Sequence, residues 1–222
     1  MMKVWNCAQD AFQALNEQID YLVIRNFEEF YDALLLEDHA DIDLLCRKED
    51  RKRVIALLGA VPRLERKDAI HYCFQVGEER IPLDIRTVGD GYYCGKWGLE
   101  MLRTRIQDPR GFYRMNQENY FWSLVYHCLY HKGKITQEYQ QRLQFMLPEQ
   151  FSADQNQLEQ KLSDYMNVHG YVYSIARDRY LWYHFTPICE GRIQRYPFYR
   201  TEQFLRKFKN VIDVKLLGRA DS

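Results

Sequence analysis

Apolar and polar positions alternate along this chain with a period that changes from segment to segment. Within residues 8–19, Ala11, Phe12, Leu15 and Ile19 recur at helical spacing and predict an amphipathic helix. Tyr21-Leu22-Val23-Ile24 is a compact apolar run that reads as a buried strand ended by Arg25-Asn26. A second helix is expected from Phe27 to Leu36, with Asn26 as its N-cap and Glu28 and Glu29 in the first turn. Residues 41–46 read as a strand, and Glu49 to Gly59 as a helix. Val54, Ile55 and Leu58 form its apolar face, and Gly59 stands at its stop. Ile70 to Val76 and Arg80 to Arg86 are two β-like runs around Gly77-Glu78-Glu79, which predicts a hairpin.

The pattern then changes. Val88-Gly89-Asp90-Gly91, followed by Gly95 and Gly98, reads as a loop and as the domain boundary. Beyond it the periodicity is helical. Asn116 can cap a helix running to about Lys132 and closed by Gly133, with Phe121, Leu124, Val125, Cys128 and Leu129 on its core face. Further helices are expected near 136–146, 155–167 and 201–209, while the aromatic and arginine-rich residues 171–200 carry no clear period. The expected fold is therefore α+β: a small mixed sheet with flanking helices over residues 1–95, then a mostly helical domain over 96–222. The close at Asp221-Ser222, without a terminal element, suits one part of a longer protein.

The strand at 41–46 carries the most chemistry. It reads Asp41-Ile42-Asp43-Leu44-Leu45, so two acids share one face while Ile42 and Leu44 enter a core. Leu83-Asp84-Ile85 offers a third acid on a second short apolar run. Three carboxylates gathered at one face repel one another. A divalent cation relieves that repulsion, because hard oxygen ligands are what Mg²⁺ takes. Two-metal phosphoryl transfer needs such carboxylates, bridging cations about 4 Å apart. Asp41, Asp43 and Asp84 are thus candidate metal ligands, with Asp84 also a candidate base. The bland alternative is an edge strand with two solvent-facing acids and an unrelated Asp84.

Composition changes this picture in a few respects. The charge balance is 31 basic against 31 acidic residues, which argues against a protein that coats nucleic acid but not against a local pocket for a triphosphate. Seventeen Tyr and four Trp fit core and interface packing better than a stacking surface. Six Cys show no C-x-x-C spacing, so a structural zinc site is not expected. Without a signal peptide or a long apolar span, reduced thiols and a cytoplasmic protein are expected.

The order strand, short turn, helix, then h-D-h-D-h, then h-D-h resembles the nucleotidyltransferase superfamily that includes DNA polymerase beta. It looks most like uncharacterised bacterial nucleotidyltransferases with a signature similar to D-I-D-L-L. The resemblance covers about residues 20–90. It implies that Asp41 and Asp43 are the paired metal ligands and Asp84 the third carboxylate. It also implies Mg²⁺ or Mn²⁺ as cofactor and an NTP as donor. The superfamily usually carries Gly-Ser or Gly-Gly between the first strand and the next helix, where this chain has Ile24-Arg25-Asn26-Phe27. Arg25 can meet a phosphate through its guanidinium, and the helix start at Asn26 can still favour an anion.

Arg86 lies two residues after Asp84, points the same way on a strand, and is a further phosphate candidate. His131 and Lys132 join it as candidates: His127 and His131 share one side of the expected helix, but H-E-x-x-H is absent. The leading expectation is a metal-dependent nucleotidyltransferase that moves an NMP from an NTP to a hydroxyl or phosphate acceptor. The acceptor stays open among a small molecule, a sugar or polysaccharide precursor, a protein and tRNA, with long nucleic acid disfavoured. A catalytically silent binding module of the same fold and a phosphotransferase of envelope polysaccharide assembly are the alternatives.

Overall fold

A computed structural model describes residues 3–25, 27, 41–63 and 70–173. Asn26, the helix expected after Phe27, the helix expected at 201–209 and the aromatic–arginine stretch beyond Tyr173 lie outside the described residues. The chain is mixed α/β. Among the described residues it has eight strands in one mixed sheet, and six α-helices.

The strands are β1 (Val4–Trp5), β2 (Tyr21–Val23), β3 (Ile42–Cys46), β4 (Val61–Pro62), β5 (His71–Val76), β6 (Glu79–Thr87), β7 (Ile106–Gln107) and β8 (Tyr113–Arg114). They run β1-β5-β6-β3-β2-β8-β7, with β4 added to β5. The pairs β1–β5, β3–β6 and β2–β8 are parallel, and the others antiparallel. Strand β3 lies in the middle of this order, and all five of its residues are buried. Its sequence, apolar apart from Asp43, suits a strand covered on both faces.

Helix α1 (Ala8–Asn16) buries Ala8, Ala11, Phe12 and Leu15, and α2 (Arg51–Leu58) buries Val54 and Leu58. Gly59 ends α2 with φ +64°, and a Cβ there would stand 2.5 Å from the Lys3 Cβ. Both the left-handed backbone and the close approach of the chain start require glycine at that point.

The glycine-rich stretch differs from the sequence expectation. Gly89 and Gly91 do sit in turns with positive φ. Gly95 and Gly98, however, belong to helix α3 (Gly95–Arg103). A Cβ on Gly98 would touch the Val88 side chain at 3.4 Å and Leu45 at 3.9 Å. Glycine lets this helix lie close over β3, so tertiary packing outweighs its low helix propensity. The indole of Trp97 then donates to Asn119 Oδ1 at 2.9 Å, deep in the interior. This first compact unit reaches Tyr120.

The second unit begins at Phe121. Helix α4 (Gln117–Tyr126) crosses that border and continues into wider π-helical turns at His127–Lys132, ending on Gly133 with φ +76°. Asn116 Oδ1 accepts from the Asn119 amide at 2.8 Å, the cap expected from the sequence. Helices α5 (Gln137–Met146) and α6 (Gln155–His169) follow, capped by Thr136 and Asp154. Trp122 stacks on Tyr165, and the Tyr130 hydroxyl donates to Glu159. No helix among the described residues is long and apolar enough to cross a membrane. The described cysteines are all free thiols.

Strands β7 and β8 are joined by a turn built on Asp108. Its carboxylate accepts from Arg110 Nε at 2.7 Å and from Arg114 Nε at 2.8 Å. The side-chain bonds from Arg110 lower its pKa from 3.8 to about 2, against the opposing effect of burial. A folded-state value below the unfolded one means stability that is present above about pH 4 and lost as pH falls through about 2. Asp108→Asn is therefore expected to cost about 2 kcal/mol at neutral pH. Denaturant unfolding should show this difference shrinking steadily below pH 4.

Candidate functional site

The site follows from strand register. In the parallel pair β3–β6, Asp43 lies opposite Asp84 and Leu45 opposite Arg86. In the antiparallel pair β5–β6, His71 lies opposite Asp84. Paired residues on neighbouring strands project from the same face, so His71, Asp84 and Asp43 form one row across three strands. Asp41 precedes Asp43 by two residues and belongs to the same face. The structure thus brings together all three acids read from the sequence and adds a histidine.

Each acid has a basic neighbour. Arg25 Nη2 lies 2.8 Å from Asp43 Oδ2, Arg63 Nη1 2.5 Å from Asp41 Oδ1, and His71 Nδ1 2.5 Å from Asp84 Oδ1. Asp43, Asp84, His71 and Arg86 are all buried, while Asp41 and Arg63 are partly exposed. The like-charge repulsion expected from three carboxylates is met here by the chain's own bases.

The compensation at Asp43 is incomplete. Burial pushes its carboxyl above the ordinary range; Arg25 and Arg86 pull it back, while Asp84 and Asp41 push it further up. The Arg25 guanidinium is held in its charged form: burial opposes the charge, but Asp43, Tyr92 and Tyr93 outweigh it. Additional positive charge on this face would stabilise ionised Asp43.

A loop between β6 and α3 supplies the other wall. Arg25 Nη1 donates to the Tyr92 hydroxyl, and the Arg86 guanidinium lies 4.1 Å from the Tyr92 ring centroid. The phenol is pushed up to about 12, mainly by burial, and stays protonated. Asp90 fixes the loop: its Oδ1 accepts from the Tyr92 amide at 2.8 Å and its Oδ2 from the Thr87 amide at 3.2 Å. Arg86 also approaches Asp90 at 3.9 Å. Arg25 and Arg86, the two phosphate candidates of the first unit, therefore converge on one tyrosine beside Asp43.

A cation fits part of this arrangement. One ligand atom each from Asp41, His71 and Asp84 lie within 4.8 Å of one another. Carboxylate oxygens and an imidazole nitrogen are established donors for divalent metals. Asp43, read from the sequence as one of the paired ligands, lies on the same face and is ion-paired with Arg25.

The remaining candidates lie elsewhere. Asn26 is outside the described residues. His131 belongs to the second unit, where it is buried against Tyr126 and has its Nδ1 3.1 Å from that of His127; Lys132 is exposed.

Sequence reasoning missed His71, Arg63 and Tyr92. A signal for His71 existed. The turn holds two residues, Gly77-Glu78, so Val76 pairs with Glu79 and counting outward sets His71 opposite Asp84. Reading the turn as Gly77-Glu78-Glu79 shifts the register by one and turns His71 to the other face. Arg63 and Tyr92 arrive from other segments, and no local pattern marks them.

Comparisons of the chain with protein-family models, with curated proteins and with solved structures find no match.

The Arg25–Asp43 pair is largely withdrawn from water. Arg25→Met strands the carboxylate and is expected to cost about 3–5 kcal/mol. The double variant Arg25→Met/Asp43→Asn should recover most of that loss in denaturant unfolding, since neither charge then remains.

Proposed function

We propose that the first unit is a divalent-cation-dependent nucleotidyltransferase domain, moving an NMP from an NTP to a hydroxyl or phosphate acceptor. The observation that carries this reading is the pairing of Asp43 with Asp84 across parallel strands, with Asp41 and His71 on the same face. The resemblance of Asp41-Ile42-Asp43 and Leu83-Asp84-Ile85 to the nucleotidyltransferase signature supports it, as does a mixed sheet that carries both segments side by side.

Asp41, Asp43 and Asp84 would hold Mg²⁺ or Mn²⁺, which supplies charge neutralisation at the triphosphate and lowers the pKa of an acceptor hydroxyl. The chain's own residues account for the rest. Arg25 is the exchangeable partner: with a cation facing Asp43, the Arg25 guanidinium would be available to a phosphate oxygen, which its bidentate geometry suits. Arg86, fixed against Tyr92, offers a second cationic contact. Asp84 can accept the acceptor's proton, with His71 orienting its carboxylate. Such a site works by positioning and charge placement, as phosphoryl transfer requires.

A second reading draws on the ion pairs themselves. Acids matched by Arg25, Arg63 and His71 can persist without any metal, which suits a silent module that binds a ligand or a protein.

Thermal unfolding with each of the four NTPs, with and without Mg²⁺ or Mn²⁺, separates the two. A bound nucleotide at a hundredfold excess over its Kd adds about 2.7 kcal/mol. The transferase reading predicts a metal-dependent rise in Tm that Asp41→Asn/Asp43→Asn abolishes while the protein remains folded. A Tm unmoved by every nucleotide supports the silent module.

A further inference from the structure

We propose that His71 is a ligand of the cation on this sheet face, so that the site takes a transition-metal ion through one nitrogen and two carboxylate donors, Asp41, His71 and Asp84. The inference rests on the cation-binding reading of this face, though not on the nucleotide.

Two observations carry it. The hairpin register places His71 directly beside Asp84, in the row that Asp43 completes from the other side. Independently, the ligand atoms of Asp41, His71 and Asp84 come within 4.8 Å of one another. Donors about 2.0–2.2 Å from a shared ion lie no more than about 4.4 Å apart. The widest gap therefore needs to close by only a few tenths of an ångström, while the His71–Asp84 contact at 2.5 Å opens to the about 3 Å that two ligands of one ion require. His71 is 3% exposed, so its ring is committed to this face and not to solvent.

The donor set decides the metal. Three carboxylates would suit Mg²⁺, which prefers oxygen and keeps its waters. Exchanging one for imidazole favours Mn²⁺, Fe²⁺, Co²⁺ or Zn²⁺. Every site ranks Zn²⁺ above Mn²⁺ to some degree, so the diagnostic quantity is the part of the preference that depends on His71. In this arrangement His71 exchanges its contact with Asp84 for a bond to the ion, and loss of a direct ligand is expected to weaken affinity at least as much as the about 10–100-fold typical of an outer-shell partner.

The test uses the full chain without nucleotide, with Mg²⁺, Mn²⁺ and Zn²⁺ as probes. Titration calorimetry should find one Mn²⁺ or Zn²⁺ bound. His71→Gln should weaken it by about tenfold or more, and His71→Asp should shift the Mn²⁺/Mg²⁺ ratio toward Mg²⁺. Pulsed EPR of Mn²⁺ on the wild-type protein should show coupling to a ring nitrogen, which keeps the inference testable should either variant fail to fold. Absence of nitrogen coupling, or equal affinities in wild type and a folded His71→Gln, overturns it. So does a chain that binds no divalent ion by itself. Should these fail while a Mg²⁺-dependent NTP shift is seen, the transferase reading stands and only the role of His71 falls.

Discussion

The parallel pairing of β3 with β6 is the constraint on which this protein depends. It sets Asp43 beside Asp84 in the interior of a sheet, where two carboxylates cannot both be left uncompensated. Much of the first unit can be understood as the answer. Arg25 follows β2, Arg63 follows β4, and His71 opens β5; each meets one acid. The loop after β6 brings Tyr92 against Arg25 and Arg86, so the cations are themselves positioned. The fold and the site thus share the same hydrogen-bond ladders, and a slip of one residue in either pairing would dismantle both.

How much of this was legible in the sequence depends on the range of the interactions. Period and punctuation found α1, β2, β3, α2, β5 and β6, because each has its own apolar pattern and a stop such as Gly59. The shared face of Asp41 and Asp43 was legible for the same reason. Short strands such as β1, β7 and β8 were not, since two residues carry no period; partners elsewhere in the sheet define them. Helix α3 was hidden by its glycines, which serve close packing on Val88 and Leu45 and give no sign of it locally. His71 was hidden by a turn read one residue too long. The bases that pair the acids come from distant segments, and only the folded sheet shows which acid each one meets.

The two phosphate candidates illustrate how geometry refines a reading based on residue type. Arg25 and Arg86 were singled out for charge and position alone. In the fold they flank one buried tyrosine, on a loop that Asp90 pins through the amides of Thr87 and Tyr92. Their reach is set by that ring, which makes the short loop after Thr87 as much a part of the site as the strands that carry the acids.

The three acid–base pairs also bear on how this sequence can change over time. Losing either member of the Arg25–Asp43 pair alone leaves a charge stranded in the interior; the Arg63–Asp41 pair is linked in the same way, more weakly because water reaches it, and His71 and Asp84 are linked by their buried side-chain contact. Neutral drift at these positions must therefore proceed in coupled steps. Related chains should show positions 25 and 43, 41 and 63, and 71 and 84 changing together.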